Sequence, residues 1–209
     1  MSHVQKPLLV ATGLNTAVFV VEGVAGFQGH SLSLLADATH NLSDELALVC
    51  LALGYLLPIQ LSRHLQRSAN ALNSVGLLLV SAVIAWQAFE RTLNPAPVAS
   101  LLPITIGLLG AVGNWGVARA LRPFWHVSPA IRLAYLHNVG DVWVSLAPVV
   151  AGVLVALSGW GGFDALIGAG LALWIIWGTV QELQSSSSTL LWPDDAVCEH
   201  PAVESRAAA

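Results

Sequence analysis

Two copies of one spacing carry the chemistry of this sequence. His40 and Asp44 stand four residues apart, and His137 and Asp141 repeat that spacing far downstream. On a helix, residues i and i+4 share a face. If two such helices set these faces together, two imidazoles and two carboxylates converge. Two nitrogen and two oxygen donors suit a tetrahedral divalent ion, with zinc the natural occupant. The set is too small and too nitrogen-rich for calcium or magnesium. With neutral histidines, the two carboxylates carry the charge that a divalent cation cancels. Either pair alone reads equally well as hydrogen-bonded glue between helices; it is the repeat that favours the ion.

The elements that must position these residues are membrane helices. Of 209 residues, 56% are hydrophobic and 10% charged, against about 25% charged in an ordinary soluble domain. Mean hydropathy is +0.71. Such a composition excludes a normal soluble domain and a disordered chain. Cys50 and Cys198 form no CxxC pair, and a disulfide scaffold is not in question. The net charge of −4 with no basic stripe excludes a nucleic-acid partner.

A span needs about 20 mostly apolar residues. Six stretches qualify, roughly Pro7–Gly26, Leu32–Leu57, Ala71–Leu93, Val98–Leu121, Ala130–Ser158 and Phe163–Leu183. They predict an all-α membrane protein with six transmembrane helices. Barrel strands are excluded, because the stretches lack two-residue alternation. The first stretch is not a cleavable signal: it carries Glu22 and no clear small-residue cleavage site. Pro58, the run Asn94–Pro97 and the turn Ser158–Gly162 punctuate the spans. Glycines such as Gly107, Gly110, Gly113, Gly116 and Gly168 read as close helix packing.

Basic residues orient the chain. Lys6, Arg63, Arg67, Arg119, Arg122, Arg132 and Arg206 fall on one side and Arg91 on the other. Positive loops stay in the cytoplasm, so both termini are expected there. Span two then enters from outside and span five from the cytoplasm. His40 lies about 12 Å into span two, and Asp44 about 18 Å. His137 and Asp141 lie about 10 and 16 Å into span five. Both pairs reach the midplane of a core about 30 Å thick, the depth at which transporters bind substrate.

Ionisable groups cost about 2.5–3.5 kcal/mol at the centre of a span, so the others also need weighing. Asp37 precedes His40 by three residues on the same face. It reads as a pathway or supporting carboxylate, or as half of a polar pair. Glu22 stands near the outer end of span one, where exposure costs less, and reads first as a surface residue and second as a pathway group. Glu45 points about 100° away from Asp44 and is not counted as a ligand. His30, His64 and His126 fall in expected loops. The tail after Leu190 carries Asp194, Asp195, Cys198, Glu199 and His200; it reads first as a solvated acidic tail, with Cys198, Glu199 and His200 as weak accessory metal candidates.

At Ser31-Leu32-Ser33-Leu34-Leu35-Ala36-Asp37-Ala38-Thr39-His40-Asn41-Leu42-Ser43-Asp44 the chain resembles the second-helix signature of the cation diffusion facilitator family. Glu22–Gly26 resembles the end of that family's first helix, and Glu90–Pro95 the end of its third. Ala134–Asp141 resembles its fifth-helix motif, and Trp160–Asp164 the start of its sixth. The resemblance implies zinc export from the cytoplasm by alternating access, driven by protons moving inward. It implies His40, Asp44, His137 and Asp141 as the transport site, with helices one, two, four and five around it and three and six as a pair. It also implies a homodimer; span three, with few ionisable residues, a long apolar surface, and Gly76 and Ser81 offering close approach, is the expected interface. The protein would be a multi-pass component of a bacterial inner membrane, with the lipid bilayer as its surroundings. Zinc, and cadmium as a second ion, would be cargo, protons the counter-ion, and no prosthetic group is implied.

Two departures accompany the resemblance. Family members usually carry a cytoplasmic ferredoxin-like domain after helix six; the expected organisation here is a transmembrane domain over 1–190 and a short cytoplasmic tail over 191–209, without that domain. The expected loop Gln60–Asn70 also lacks a histidine-rich run. Antiport follows from ligand chemistry, since metal ligands must be deprotonated and metal therefore competes with protons for one site. Within the same family a broader range including cadmium, cobalt or iron is the alternative. From other classes, an intramembrane zinc hydrolase would need an open ligand position and a general base, and no HExxH is present. A purely structural zinc site is the remaining alternative.

Overall fold

The computed structural model describes residues 5–56, 59–127 and 129–186, and within those helices all side chains except those of residues 5, 51, 54–56, 59–73, 129–130, 182 and 185–186. The candidates Cys198, Glu199 and His200, and the side chains of Arg63, His64 and Arg67, lie outside the described residues. Among the described residues every regular element is helical. The order is α1 (Gln5–Gln28), α2 (Leu32–Leu56), α3 (Ile59–Leu93), α4 (Leu101–Leu121), a 3-10 turn (Arg122–Phe124), α5 (Pro129–Val144), α6 (Leu146–Ser158) and α7 (Gly162–Ser186).

Among the described residues five segments are long and apolar enough to cross a membrane: Lys6–Gln28, Ser74–Leu93, Leu101–Phe124, Ile131–Ser158 and Gly162–Gln181. At 25 residues α2 also has the length, about 37 Å of rise. Asp37, His40, Asp44 and Glu45 lower its apolarity, and α2 packs against α1, α3 and α7. This is a multi-pass membrane domain.

Two boundaries differ from the sequence reading. The expected loop at 60–70 is helix, because α3 begins at Ile59 and runs 35 residues. Residues 59–73 are polar but contain neither glycine nor proline, so nothing breaks the helix, and polarity alone was mistaken for a loop. At about 52 Å, α3 exceeds a hydrocarbon core of about 30 Å by several turns. The second difference is in the expected fifth span, which is split into α5 and α6 at Ser145. Pro148 supplies the reason: it has no N–H for the carbonyl of Val144, and its ring crowds that carbonyl.

Around α2 the packing divides in two. Leu8, Ala11, Leu48, Ala52, Val117, Leu121 and Ile131 form one buried cluster, joining α1, α2, α4 and α5. Leu32, Ala36, Ile84, Ala88, Ala165 and Ala172 form the other, joining α2 to the pair α3 and α7. Gly168 lets α7 come so close to α2 that a Cβ there would stand 2.8 Å from the carbonyl carbon of Leu32. Ser81 is buried within the bundle, so it does not face a second copy as the sequence reading expected. Gly76 has open space around it.

One buried carboxylate fastens the start of α2. Asp164 of α7 accepts hydrogen bonds from Ser31 Oγ (2.7 Å), Ser33 Oγ (2.5 Å) and the backbone N–H of Leu32 (2.6 Å). It satisfies an N-terminal donor of α2 from a different helix and places a negative charge at the positive end of the helix dipole. Nearby, the Arg91 guanidinium donates to the carbonyl of His30, the one described non-glycine residue with positive φ (52°). Asp164→Ala would leave these donors buried and unmatched. The expected cost is about 3 kcal/mol, read as a lowered unfolding midpoint in detergent, and Asp164→Glu should recover little because the longer arm cannot hold all three donors.

Candidate metal centre

Helix α2 carries His40 and Asp44 on one face, and α5 carries His137 and Asp141 on another. The fold turns these faces together. His40 Nε2 lies 3.0 Å from Asp141 Oδ1, and His137 Nε2 lies 2.7 Å from Asp44 Oδ1. Each histidine therefore bonds the aspartate of the opposite helix. Within a helix the separations are longer, 3.8 Å for His40 to Asp44 and 3.9 Å for His137 to Asp141. One donor atom from each of the four residues lies within 4.8 Å of the others. Tetrahedral zinc with bonds of about 2.0–2.2 Å sets its ligand atoms about 3.3–3.6 Å apart. Seating zinc would bring the widest-set donors together by a little over an ångström and spread the two cross-helix pairs by several tenths. Asp44 Oδ2 and Asp141 Oδ2 are buried without a hydrogen-bond partner, so each carboxylate keeps one oxygen free.

The group is not sealed. His40, Asp44 and Asp141 are buried, while the His137 side chain is 47% exposed. Among the described residues α6 packs against α7, but α5 does not. The half of the broken span that carries His137 thus stands away from α7. The Trp174 ring of α7 lies 5.4 Å from the His40 ring.

Behind the four residues runs a buried polar seam. Asn41, next to His40, donates to Glu22 Oε2 at 2.6 Å, and its own Oδ1 accepts from Asn114 Nδ2 at 3.4 Å. Asn114 also donates to Ser145 Oγ at 3.1 Å. The amide of Asn114 on α4 thereby joins the two spans that carry the four residues, touching α2 beside His40 and the α5–α6 break one turn after Asp141. Toward the other end, Asn15 donates to the Asn41 carbonyl (3.0 Å) and to Glu45 Oε2 (3.3 Å), and Thr16 donates to Glu45 Oε1 (2.6 Å). Glu45 faces α1, away from the group, as its angular position predicted.

Glu22 is a correction. It was read as a surface residue, yet it is 1% exposed. Gly110 on α4 makes the room, since a Cβ there would overlap the Glu22 carboxylate. Asp37 is equally buried, at 1%, and interacts with Glu22. His30 and His126 are exposed and remote from the group. The sequence reading missed Asn15, Asn41, Asn114, Ser145 and Trp174. It counted only ionisable groups inside spans, although an amide in an apolar span also needs a partner, and Asn114 was the available signal.

The model of the cation efflux transmembrane domain matches residues 8–61 and 64–191. The chain belongs to the cation efflux family. Among curated proteins, a cadmium, cobalt and zinc/H(+)-K(+) antiporter of Bacillus subtilis is 31% identical over 182 residues, covering 82% of this chain and 58% of that protein. The zinc transporter ZitB of Escherichia coli is 30% identical over 205 residues, 89% of this chain and 62% of the relative. The metal cation efflux system protein CzcD of Cupriavidus metallidurans is 27% identical over 202 residues, 91% of this chain and 64% of the relative. This cation efflux chain therefore spans about three fifths of the length of the relatives it matches.

The Gly110 cradle is open to test in the folded protein. Gly110→Ala would push the Glu22 carboxylate off its place on α4, costing about 1–3 kcal/mol of stability by overpacking. Gly76→Ala, in open space, should be neutral or stabilising by up to about 1 kcal/mol. Unfolding midpoints of both variants in detergent check the contrast.

Proposed function

We propose that the chain exports divalent metal, zinc first, from the cytoplasm in exchange for protons. His40, Asp44, His137 and Asp141 would bind the cargo in a tetrahedral set. The observation that carries the reading is the convergence of these four donors within 4.8 Å, inside a domain of the cation efflux family. Zinc with four ligands would replace the two cross-helix histidine–aspartate pairs by metal bonds. Protons returning to the same atoms would displace it, because metal and protons compete for deprotonated ligands. Two imidazoles favour zinc and cadmium over manganese, in keeping with the metals named for the relatives. The ligand set offers no position for a hydrolytic water with a general base, so transport is proposed rather than catalysis.

The distribution of basic residues supports cytoplasmic termini, and a bacterial inner membrane suits the relatives. On this orientation the gap between α5 and α7 opens toward the cytoplasm, while α6 on α7 closes the outer side. The four-residue site, the 1–190 domain limit and the six-span count all belong to this proposal.

Zinc flux into liposomes, driven by a proton gradient, tests it. Asp44→Ala and Asp141→Ala each remove one ligand and one charge, and flux should fall to the level of empty liposomes while the protein stays folded. Wild-type flux from either variant would overturn the site. Association of two copies is proposed through α3, whose Val75, Leu79, Val83 and Trp86 face outward at helical spacing. Cysteines introduced one at a time at these positions should crosslink in native membranes; monomer at all of them would place the interface elsewhere or leave none.

A further inference from the structure

Glu22 and Asp37 are the two buried carboxylates that the proposed transport site does not use, and the basic side chain that faces Asp37 is His40, which belongs to that site. Both are 1% exposed. Glu22 Oε1 and both Asp37 oxygens are buried without a hydrogen-bond partner, although the two side chains are neighbours. Asp164 and Glu45, by contrast, have their oxygens matched to donors. Among the described residues no lysine or arginine is buried: Lys6, Arg119, Arg122 and Arg132 are exposed, and half-buried Arg91 serves the His30 carbonyl. Two adjacent carboxylates in an apolar interior can stay ionised only beside a compensating cation and otherwise hold protons, so a divalent ion and protons are alternative occupants of the pair.

Besides the Asn41 amide N–H on Glu22 and the His40 ring facing Asp37, the neighbouring side chains offer oxygen. Asn114 is fully buried and its Oδ1 has no partner. Ser145 Oγ stands 3.4 Å from the position of a Cβ on Gly110, over which the Glu22 carboxylate lies. The Asn41 amide holds Glu22 by its other oxygen, leaving Oε1 free. Gly110 keeps this space clear. Along α2, Asp37 lies three residues nearer the helix start than His40, a rise of about 4.5 Å. The pair therefore stands on the side of the four-residue site that α6 and α7 close.

We propose that Glu22 and Asp37 form a second, all-oxygen station for the divalent cargo, on its way out. The inference rests on the reading of His40, Asp44, His137 and Asp141 as the first site. Its two carboxylates match a divalent charge as those of the first site do. Without imidazole, it holds zinc or cadmium more weakly than the mixed site, which is what release requires. An ion at one station repels an ion at the other, so the second fills only at higher concentration. Passage between adjacent sites of unequal strength lets an ion be bound tightly and still leave.

The test is cadmium titration of the full chain in lipid nanodiscs, followed by cadmium NMR, whose shift separates nitrogen-containing from all-oxygen ligand sets. Wild type should show a mixed nitrogen–oxygen resonance first and an all-oxygen resonance at higher cadmium. Glu22→Gln keeps the acceptor for Asn41 and removes one charge. It should retain the first resonance, lose the second, and export zinc at least about tenfold more slowly with KM little changed, a loss of about 1.4 kcal/mol in turnover. Asp37→Asn, read in the same way, should also lose the second resonance. A single mixed resonance in wild type at all cadmium concentrations would overturn the second station, as would an all-oxygen resonance that survives both substitutions. Absence of the mixed resonance would instead overturn the first site, so the two failures are distinguishable.

Discussion

A carboxylate inside hydrocarbon has no water to turn to, and five of the buried carboxylates in this bundle take a partner from another helix. Asp44 on α2 takes His137 from α5, and Asp141 on α5 takes His40 from α2. Glu45 on α2 takes Asn15 and Thr16 from α1, and Glu22 on α1 takes Asn41 from α2. Asp164 on α7 takes the first turn of α2. These bonds tie α2 to α1, α5 and α7 at set rotations. Apolar packing in lipid gains little from excluding water, so close approach and polar partners carry more of the specificity than they would in a soluble core.

Small residues make that economy of contact workable. Gly110 clears the path of the Glu22 side chain, and Gly168 lets α7 reach the backbone at Leu32, close enough for Asp164 to cap α2. A Cβ at Gly107 would stand 2.9 Å from the Ser145 carbonyl, so α4 also lies tight against the α5–α6 break. Pro148 creates that break and leaves α6 on α7 while α5 stands free of it. Under the proposed function, binding chemistry and access share one element. The span that supplies Asp141 and His137 is also the span whose two halves pack differently, a suitable place for a change of exposure around a fixed site.

Much was legible before any coordinates. Repetition of His-x-x-x-Asp identified the four converging residues, because i and i+4 is a local property of a helix and needs no knowledge of the fold. Apolar runs bounded by proline and glycine located the helices. Errors arose where polarity was read as position. Residues 59–70 are polar yet helical, since backbone continuity depends on the absence of glycine and proline rather than on hydropathy. Glu22 is polar and near a helix end yet buried, because its surroundings are set by α2 and α4. Ser81 is small and in an apolar span, but which neighbour it faces is a matter of helix rotation.

By itself the sequence determined the number and chemistry of the converging donors and their shared faces, which follow from helical periodicity along one chain. Tertiary structure decided which faces meet. It paired each histidine with the opposite aspartate, matched Glu45 and Asp164 with donors from other helices, and left Glu22 and Asp37 side by side with no described lysine or arginine buried against them. Those outcomes depend on the rotation of one helix against another, and that rotation is set by contacts between residues far apart in the chain, such as Asn41 with Asn114 and Asp164 with Leu32.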